Sequence, residues 1–399
     1  MVRVAFWFDT PVEYSGGLNY IKNLLYAVSL VNDGTVRPYI FFASSIPVSI
    51  EAEFSPYATV VRTKLLKRGS LPWFIHKVLY KLFGSMILAS SLLKSYGITV
   101  LSHVWFVYKG RTPFRIISWI PDFQYLHLPE FFSTLDLEEE TRQNQQIIAQ
   151  SDIVVLSSNN AHEDFKRIAP PGCESRGRVL RFVSQPRTAR SSYAITRETI
   201  EKKYRFQGRF FFLPNQFWVH KNHMVVLQAV KLLKDEGINI LVLCTGNVKD
   251  YRYKDTKYID GIYEFIELNS LQDHVKILGH IDYDDVLFMM KNSVAVLNPS
   301  RFEGWSSSVE EAKSIGKPVI LSRIGVHVEQ NPPNGRYFDP DDAAGLSQIM
   351  GDMWAAEQDG SDADAERLAR EALQSRTVAY GKAYLGLVCG LDTRDSEPR

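Results

Sequence analysis

Two glutamates separated by seven residues, Glu303 and Glu311, are the side chains best placed to do chemistry in this chain. They lie in FEGWSSSVEEAKSIGKPVILS, which runs from Phe302 to Ser322. Ser307 and Glu310 have capping-box spacing, which predicts a helix starting at Ser307. Gly316 reads as the residue that stops this helix, Pro318 follows, and PVILS is a short apolar strand. A small-residue loop feeding a helix start aims free backbone N–H groups at one point, where the helix dipole favours a phosphate. Gly304, Trp305, Ser306 and Ser307 form that loop. Carboxylates repel phosphate, so Glu303 and Glu311 are expected to take hydroxyls. Phosphate donors beside hydroxyl acceptors describe a site for a nucleotide sugar. The plainer alternative is a capped surface helix with solvated glutamates.

The whole string, with Ala312, Gly316, Pro318 and Val319 framing the two glutamates, resembles the E-x7-E signature of retaining GT-B glycosyltransferases, in particular glycosyltransferase family 4. That resemblance implies an α/β fold of two Rossmann-like domains facing across a cleft. A terminal helix would cross back to the first domain. It implies transfer of a hexose-type sugar from a nucleoside diphosphate to an acceptor hydroxyl, with α configuration kept. The acceptor would be a glycan, a lipid-linked saccharide or another hydroxyl compound. Glu311 would hold the ribose hydroxyls and Glu303 a sugar hydroxyl. The family generally needs no metal ion, so no cofactor and no metal ligand are expected. A nucleotide-sugar epimerase on the same fold, or a nucleotide-sugar-binding module with weakened catalysis, are the rival readings.

Four more segments carry candidate residues. LPNQFWVHKNH, from Leu213 to His223, follows an apolar run and resembles the family segment that supplies cations to the diphosphate. Lys221 stands in the lysine position, and Gln216 replaces the usual arginine. Preorganised positive charge there would lower the barrier to leaving-group departure; the alternative for Lys221 is a solvated loop lysine. EYSGGLNYIKNLL places Gly16 and Gly17 at the head of a first helix, where the family has a glycine loop and where a backbone can approach a ligand closely. In SWIPDFQYLHLPEFF, Pro121 occupies the position of the family histidine, Asp122 is kept, and His127 follows five residues later. Asp122 and His127 are therefore catalytic candidates, although a loop histidine bonded to backbone explains His127 as well. VKILGHIDYDDVLFMM resembles the segment whose main chain reads the nucleobase, through Gly279, His280 and Ile281.

His220 and His223 lack a third ligand, so a metal site is not expected there. The Asp-x-Asp pairs Asp282/Asp284, Asp339/Asp341 and Asp362/Asp364 are better explained by helix capping. Three scattered cysteines, Cys173, Cys244 and Cys389, form neither a disulfide framework nor a zinc spacing.

The elements that must position these residues alternate strand and helix, which argues for parallel sheets. In the first half, strands are expected at 3–9, 37–42, 99–104, 115–120 and 152–157. Helices are expected at 17–31, 73–95, 136–149 and 160–168. A second series has strands at 210–213, 238–244, 275–278, 294–297 and 319–321. Its helices are expected at 222–236, 256–269, 283–292 and 307–315, with a terminal helix over 363–388. The domain division expected is 1–190, 191–375 and a crossing helix with tail over 376–399. In doubly wound sheets ligands bind beyond the carboxyl ends of the strands, and each motif above falls after a predicted strand.

At 399 residues, two domains are the prior. The composition is that of a soluble globular protein, and no run reaches transmembrane length. Residues 1–30 show no signal-peptide pattern, so the reducing cytoplasm is the expected compartment. The net charge of +1 hides an asymmetry. No acidic residue lies between Glu53 and Asp122, while about ten Lys and Arg do. Arg62, Lys64, Lys67, Arg68, Lys77 and Lys81 interleave with Trp73, Phe74, Leu82 and Phe83. The segment 62–83 therefore suggests a peripheral contact with an anionic membrane. A core helix with a solvated lysine edge is the alternative, and no nucleic-acid motif is present.

Overall fold

In a computed structural model, residues 1–8, 15–84, 86–108, 112–186, 195–248, 256–356 and 362–392 are described. Two units are present, Met1–Val183 with Ser375–Arg399, and Ser184–Gln374.

Among the described residues the first unit holds a seven-stranded parallel sheet. Its strands are β1 (Val2–Trp7), β2 (Val36–Ala43), β3 (Thr59–Thr63), β4 (Val100–Val104), β5 (Arg115–Ile120), β6 (Ile153–Leu156) and β7 (Gly177–Val179). Their spatial order is β3-β2-β1-β4-β5-β6-β7, so the winding reverses between β1 and β4. β3 and β7 were not expected from sequence. Each is a short strand at the sheet edge, where the apolar pattern is thin.

The second unit has a six-stranded parallel sheet in the order β10-β9-β8-β11-β12-β13. It comprises β8 (Phe211–Leu213), β9 (Val242–Thr245), β10 (Val275–Gly279), β11 (Val296–Asn298), β12 (Val319–Ser322) and the unexpected edge strand β13 (Gly335–Phe338). Its winding reverses between β8 and β11. Both faces of this sheet are covered, which is why its strands read as continuous apolar runs. Phe211 and Leu213 pack with Val226, Val230 and Leu233 on one face. Phe210 and Phe212 pack with Met289, Val309 and Ala312 on the other. The period of two in side-chain direction divides one strand between two cores.

The helix expected over 73–95 is two helices, Leu71–Phe83 and Ile87–Ser95. Gly84 ends the first in the left-handed region at φ 63°, a conformation that favours glycine. The terminal helix runs Ala363–Asp392. Its residues from Ser375 onward belong to the first unit, where the Tyr384 hydroxyl donates to Ser102 Oγ at 2.7 Å. No helix among the described residues is long and apolar enough to cross a membrane.

Candidate functional site

The strongest cluster of candidates lies at the carboxyl ends of β8 and β11, where the second sheet reverses its winding. Pro214–Phe217 leaves β8, and a single 3-10 turn spans Val219–Lys221. Asn222 then adopts φ 56° and opens the helix His223–Asp235. Asn tolerates that left-handed conformation better than most residues. Its side-chain amide donates to the Pro299 carbonyl at 3.2 Å and the Pro340 carbonyl at 2.8 Å. The Arg301 N–H donates to the His220 carbonyl at 2.8 Å. These bonds tie the loop after β8 to the loop after β11.

That tie brings Lys221 Nζ to 2.7 Å from Glu303 Oε1. Only 13% of the lysine side chain and 9% of the glutamate side chain are exposed. Ser300 Oγ also lies 2.7 Å from Glu303 Oε1. Burial by itself would raise the Glu303 carboxyl. The charge and hydrogen bond of Lys221, helped by Ser300, outweigh it and bring the carboxyl down to about 2. Glu303 is therefore a carboxylate at neutral pH.

Glu311 has the opposite character. It sits on the helix Ser307–Ser314, and burial raises its carboxyl to about 7. The Tyr283 hydroxyl donates to its Oε1 at 2.8 Å, and a bond from Ser184 acts in the same lowering direction.

The helix does start at Ser307, but the expected capping box is absent. Ser306 is the N-cap residue, and its side chain makes no cap bond. Its hydroxyl instead takes a 2.7 Å bond from the Asn298 amide. Glu310 is 1% exposed and accepts from Gln330 Nε2 at 3.3 Å, so its side chain is committed to the interior. The first-turn N–H groups have no acceptor within their own helix, as at any helix start. Gly304 and Trp305 are half-buried, and Ser307 is exposed.

A buried polar network underlies this cluster, and no sequence pattern indicated it. Asn298, fully buried at the end of β11, receives a bond from Asn215 Nδ2 at 3.2 Å and from Ser300 Oγ at 2.7 Å. Ser300 has one hydroxyl proton and two acceptors at equal distance, Asn298 and Glu303, so it serves one at a time. His327 is fully buried, with Nδ1 2.9 Å from the Ser322 carbonyl. A carbonyl only accepts, so Nδ1 carries the proton and Nε2 is the lone-pair side. Among the described residues nothing partners Nε2. The signal available in the sequence was a polar residue, Asn298, closing an apolar run.

Gln216 uses its side-chain oxygen to accept from the Asn247 N–H at 2.7 Å. Gly246, at φ 140°, packs so tightly that an added Cβ would stand 2.3 Å from the Asn215 carbonyl. Its N–H donates to the Gly279 carbonyl at 2.9 Å. Gly279 and Ile281 are half-buried and His280 is exposed. His223 is buried against the Phe217 ring, at 4.3 Å between ring centroids, and burial lowers its imidazole to about 3.

The first-unit candidates do not gather in the same way. Gly16 and Gly17 lie inside the helix Ser15–Val31 without left-handed φ, while residues 9–14 fall outside the described set. Asp122 accepts from the Gln124 N–H at 3.1 Å, a local turn. His127 Nε2 lies 2.6 Å from Asp164 Oδ2, so a carboxylate holds the ring. A cluster missed from sequence sits where β4 ends beside β1. His103 has φ 57° in an interruption of the β4 register, with its ring between Tyr20 Oη at 3.1 Å and Ser102 Oγ at 2.9 Å.

The aspartate pairs make other contacts. Lys203 bonds Asp282 at 3.1 Å, Arg301 bonds Asp341, and Asp362 caps the Asp364 N–H at 2.9 Å. Capping thus holds for Asp362, whereas Asp282 and Asp341 form ion pairs. Cys173, Cys244 and Cys389 form no disulfide.

Solved structures share this architecture over nearly the whole chain. Sucrose-phosphate synthase from Thermosynechococcus elongatus superimposes with a TM-score of 0.67, covering 99% of this chain and 100% of that one at 15% identity. The Anabaena protein HepE, in complex with UDP and glucose, gives 0.64 over 98% and 100% at 14% identity. The fold is GT-B. Residues 196–363 match the family described as Glycosyl transferases group 1, and that stretch contains Gln216, Lys221, Glu303 and Glu311. An uncharacterized glycosyltransferase of Methanocaldococcus jannaschii is 31% identical over 93 residues, 23% of this chain and 26% of the relative. This GT-B chain thus aligns with about a quarter of that relative's length.

Proposed function

We propose that the chain is a retaining glycosyltransferase of family 4. It moves a hexose-type sugar from a nucleoside-diphosphate sugar to an acceptor hydroxyl in glycan, glycolipid or polysaccharide synthesis. The observation that carries this reading is the 2.7 Å Lys221–Glu303 pair at the winding reversal, beside the first turn of the Ser307–Ser314 helix. The group 1 match over residues 196–363 supports sugar transfer. The structural neighbour holding UDP and glucose supports a nucleotide-sugar donor.

Each residue then has a chemical task. Glu303 holds Lys221 in place, so the ammonium needs no reorganisation when the diphosphate arrives. The N–H groups of Gly304, Trp305 and Ser307 add partial positive charge to the same phosphate, while the Ser306 N–H donates to Gln330 Oε1 at 3.3 Å. Glu303 offers its second carboxylate oxygen to a sugar hydroxyl. Glu311, near its titration midpoint at neutral pH, accepts from ribose hydroxyls. Gly279, His280 and Ile281 present main chain to the base, and Gln216 donates its amide near the diphosphate.

In the transfer step the acceptor oxygen bonds to the anomeric carbon on the face the diphosphate leaves. The carbon–phosphate-oxygen bond breaks, and the acceptor proton passes to the departing phosphate oxygen. No protein nucleophile and no metal ion are required. On the first unit, which takes the acceptor, Asp122 and His127 act in catalysis, and Gly16 and Gly17 stand in the glycine-loop position.

The decisive experiment incubates the protein with UDP-, GDP- and ADP-hexoses, with and without saccharide and lipid-linked acceptors. Release of nucleoside diphosphate that depends on acceptor, with an α-linked product by NMR, is expected. Sugar inversion without release would identify an epimerase. Nucleotide-dependent thermal stabilisation without turnover on any acceptor would identify a binding module.

A further inference from the structure

The helix Leu71–Phe83 buries a polar side and exposes an apolar one. His76 faces the core, edge-on to Trp7 at 6.5 Å between rings, and the Tyr80 hydroxyl donates to the Val107 carbonyl at 2.8 Å. The apolar residues face outward. Leu71 is 69% exposed, Phe74 58% and Leu82 68%, with Ile75 exposed between them. These positions and half-buried Val78 follow the i, i+3, i+4, i+7, i+11 spacing of one helical stripe. Phe83 at 74% and Ile87 at 59% extend the apolar surface past Gly84. Contiguous exposed apolar surface of this kind marks an interaction site.

Charge limits what can cover it. Lys77 and Lys81 sit on the same helix, and Lys64, Lys67 and Arg68 precede it, all exposed. The chain has no acidic residue between Glu53 and Asp122 to offset them. A second copy would bring the same cations to a two-fold contact, where like charges repel. The occupant must supply an apolar phase and negative charge together.

We propose that this face docks on an anionic phospholipid bilayer, with Leu71, Phe74, Ile75 and Leu82 entering the acyl boundary and the lysines meeting the headgroups. The helix lies in the interface and does not span it. This surface is independent of the sugar-transfer reading, since it rests on the exposure and charge of this helix alone.

Vesicle co-sedimentation of the full chain tests it. Vesicles of phosphatidylcholine with one third phosphatidylglycerol should bind the protein, pure phosphatidylcholine should not, and 0.5 M salt should release it. Phe74→Ser/Leu82→Ser should lower the partition coefficient more than tenfold, because burying such side chains dominates interfacial binding. Lys77→Glu/Lys81→Glu should lower it at least 25-fold, from about fivefold per lost lysine charge. Both variants change exposed residues, and an unchanged thermal midpoint verifies that they fold. Absence of binding, equal binding to neutral vesicles, or variants that bind like the parent would overturn the proposal. So would a dimer in sedimentation velocity that Phe74→Ser/Leu82→Ser dissolves, since a second copy would then cover the face.

Discussion

Lys221 and Glu303 are 82 residues apart in the chain and 2.7 Å apart in space, with both side chains largely removed from water. The pair links the loop after β8 to the loop after β11, so it is both a structural bond and the charge centre of the proposed donor site. Removing one partner of such a pair leaves an uncompensated buried charge, at a cost of about 3–5 kcal/mol. Lys221→Ala should lose stability in that range by urea denaturation. Adding Glu303→Gln should recover most of it. In turnover, Lys221→Ala should lower kcat/KM by about two orders of magnitude or more, and the double variant should recover none of that. Near-parental turnover of Lys221→Ala would move the lysine out of the reaction.

The two glutamates should show opposite pH behaviour. Glu303, held down to about 2, contributes stability that is present above the ordinary carboxylate range and lost as pH falls toward 2. Glu311, raised to about 7, binds its proton more tightly folded than unfolded. Stability therefore declines as pH rises from about 4 to 7. Ribose hydroxyls favour the carboxylate form of Glu311, so nucleotide binding should release a proton at pH 6.5. Calorimetry in buffers of different ionisation enthalpy reads that release directly, and Glu311→Gln should abolish it. A proton count unaffected by the substitution would remove Glu311 from the ribose site.

Gln216→Arg should trade stability for affinity. The substitution adds a cation near the proposed diphosphate but takes the acceptor from the Asn247 N–H, now bonded at 2.7 Å. An unfolding loss of about 1 kcal/mol is expected. Tighter binding of nucleoside diphosphate in titration calorimetry should accompany it. Weaker binding would show that the position lies outside the diphosphate site.

Transfer should survive chelation. The cations proposed for the leaving group are Lys221 and a helix start, and the aspartate pairs are engaged with Lys203, Arg301 and a helix N-terminus. Rates in EDTA should match untreated protein. Loss in EDTA that magnesium restores would assign the charge to a metal instead.

Local signals in the chain sufficed for much of this architecture. Strand–helix alternation, Gly316 and the apolar runs announce two wound parallel sheets, because period and punctuation are properties of neighbouring residues. The E-x7-E string is legible for the same reason, since a single strand–loop–helix carries it. The edge strands β3, β7 and β13 and the break at Gly84 were missed, being short or overridden by packing. The Ser307–Glu310 box failed because both partners of its reciprocal bond are elsewhere: Ser306 holds the cap position, and Gln330 claims Glu310.

What the chain alone determined is which residues occur at strand ends. What only the tertiary structure decided is which strand ends are neighbours, and hence which side chains share a dielectric. Setting β8 beside β11 places Lys221 against Glu303 and keeps that carboxyl ionised. Glu311, on the same short segment, meets burial and a tyrosine hydroxyl and sits near neutrality. The same holds for the helix Leu71–Phe83, whose sequence leaves open a membrane-facing segment and a core helix with wet lysines. Its orientation on the first sheet sends His76 inward and Phe74 out to solvent. Spacing sets the faces of a helix, but only its neighbours decide which face is covered.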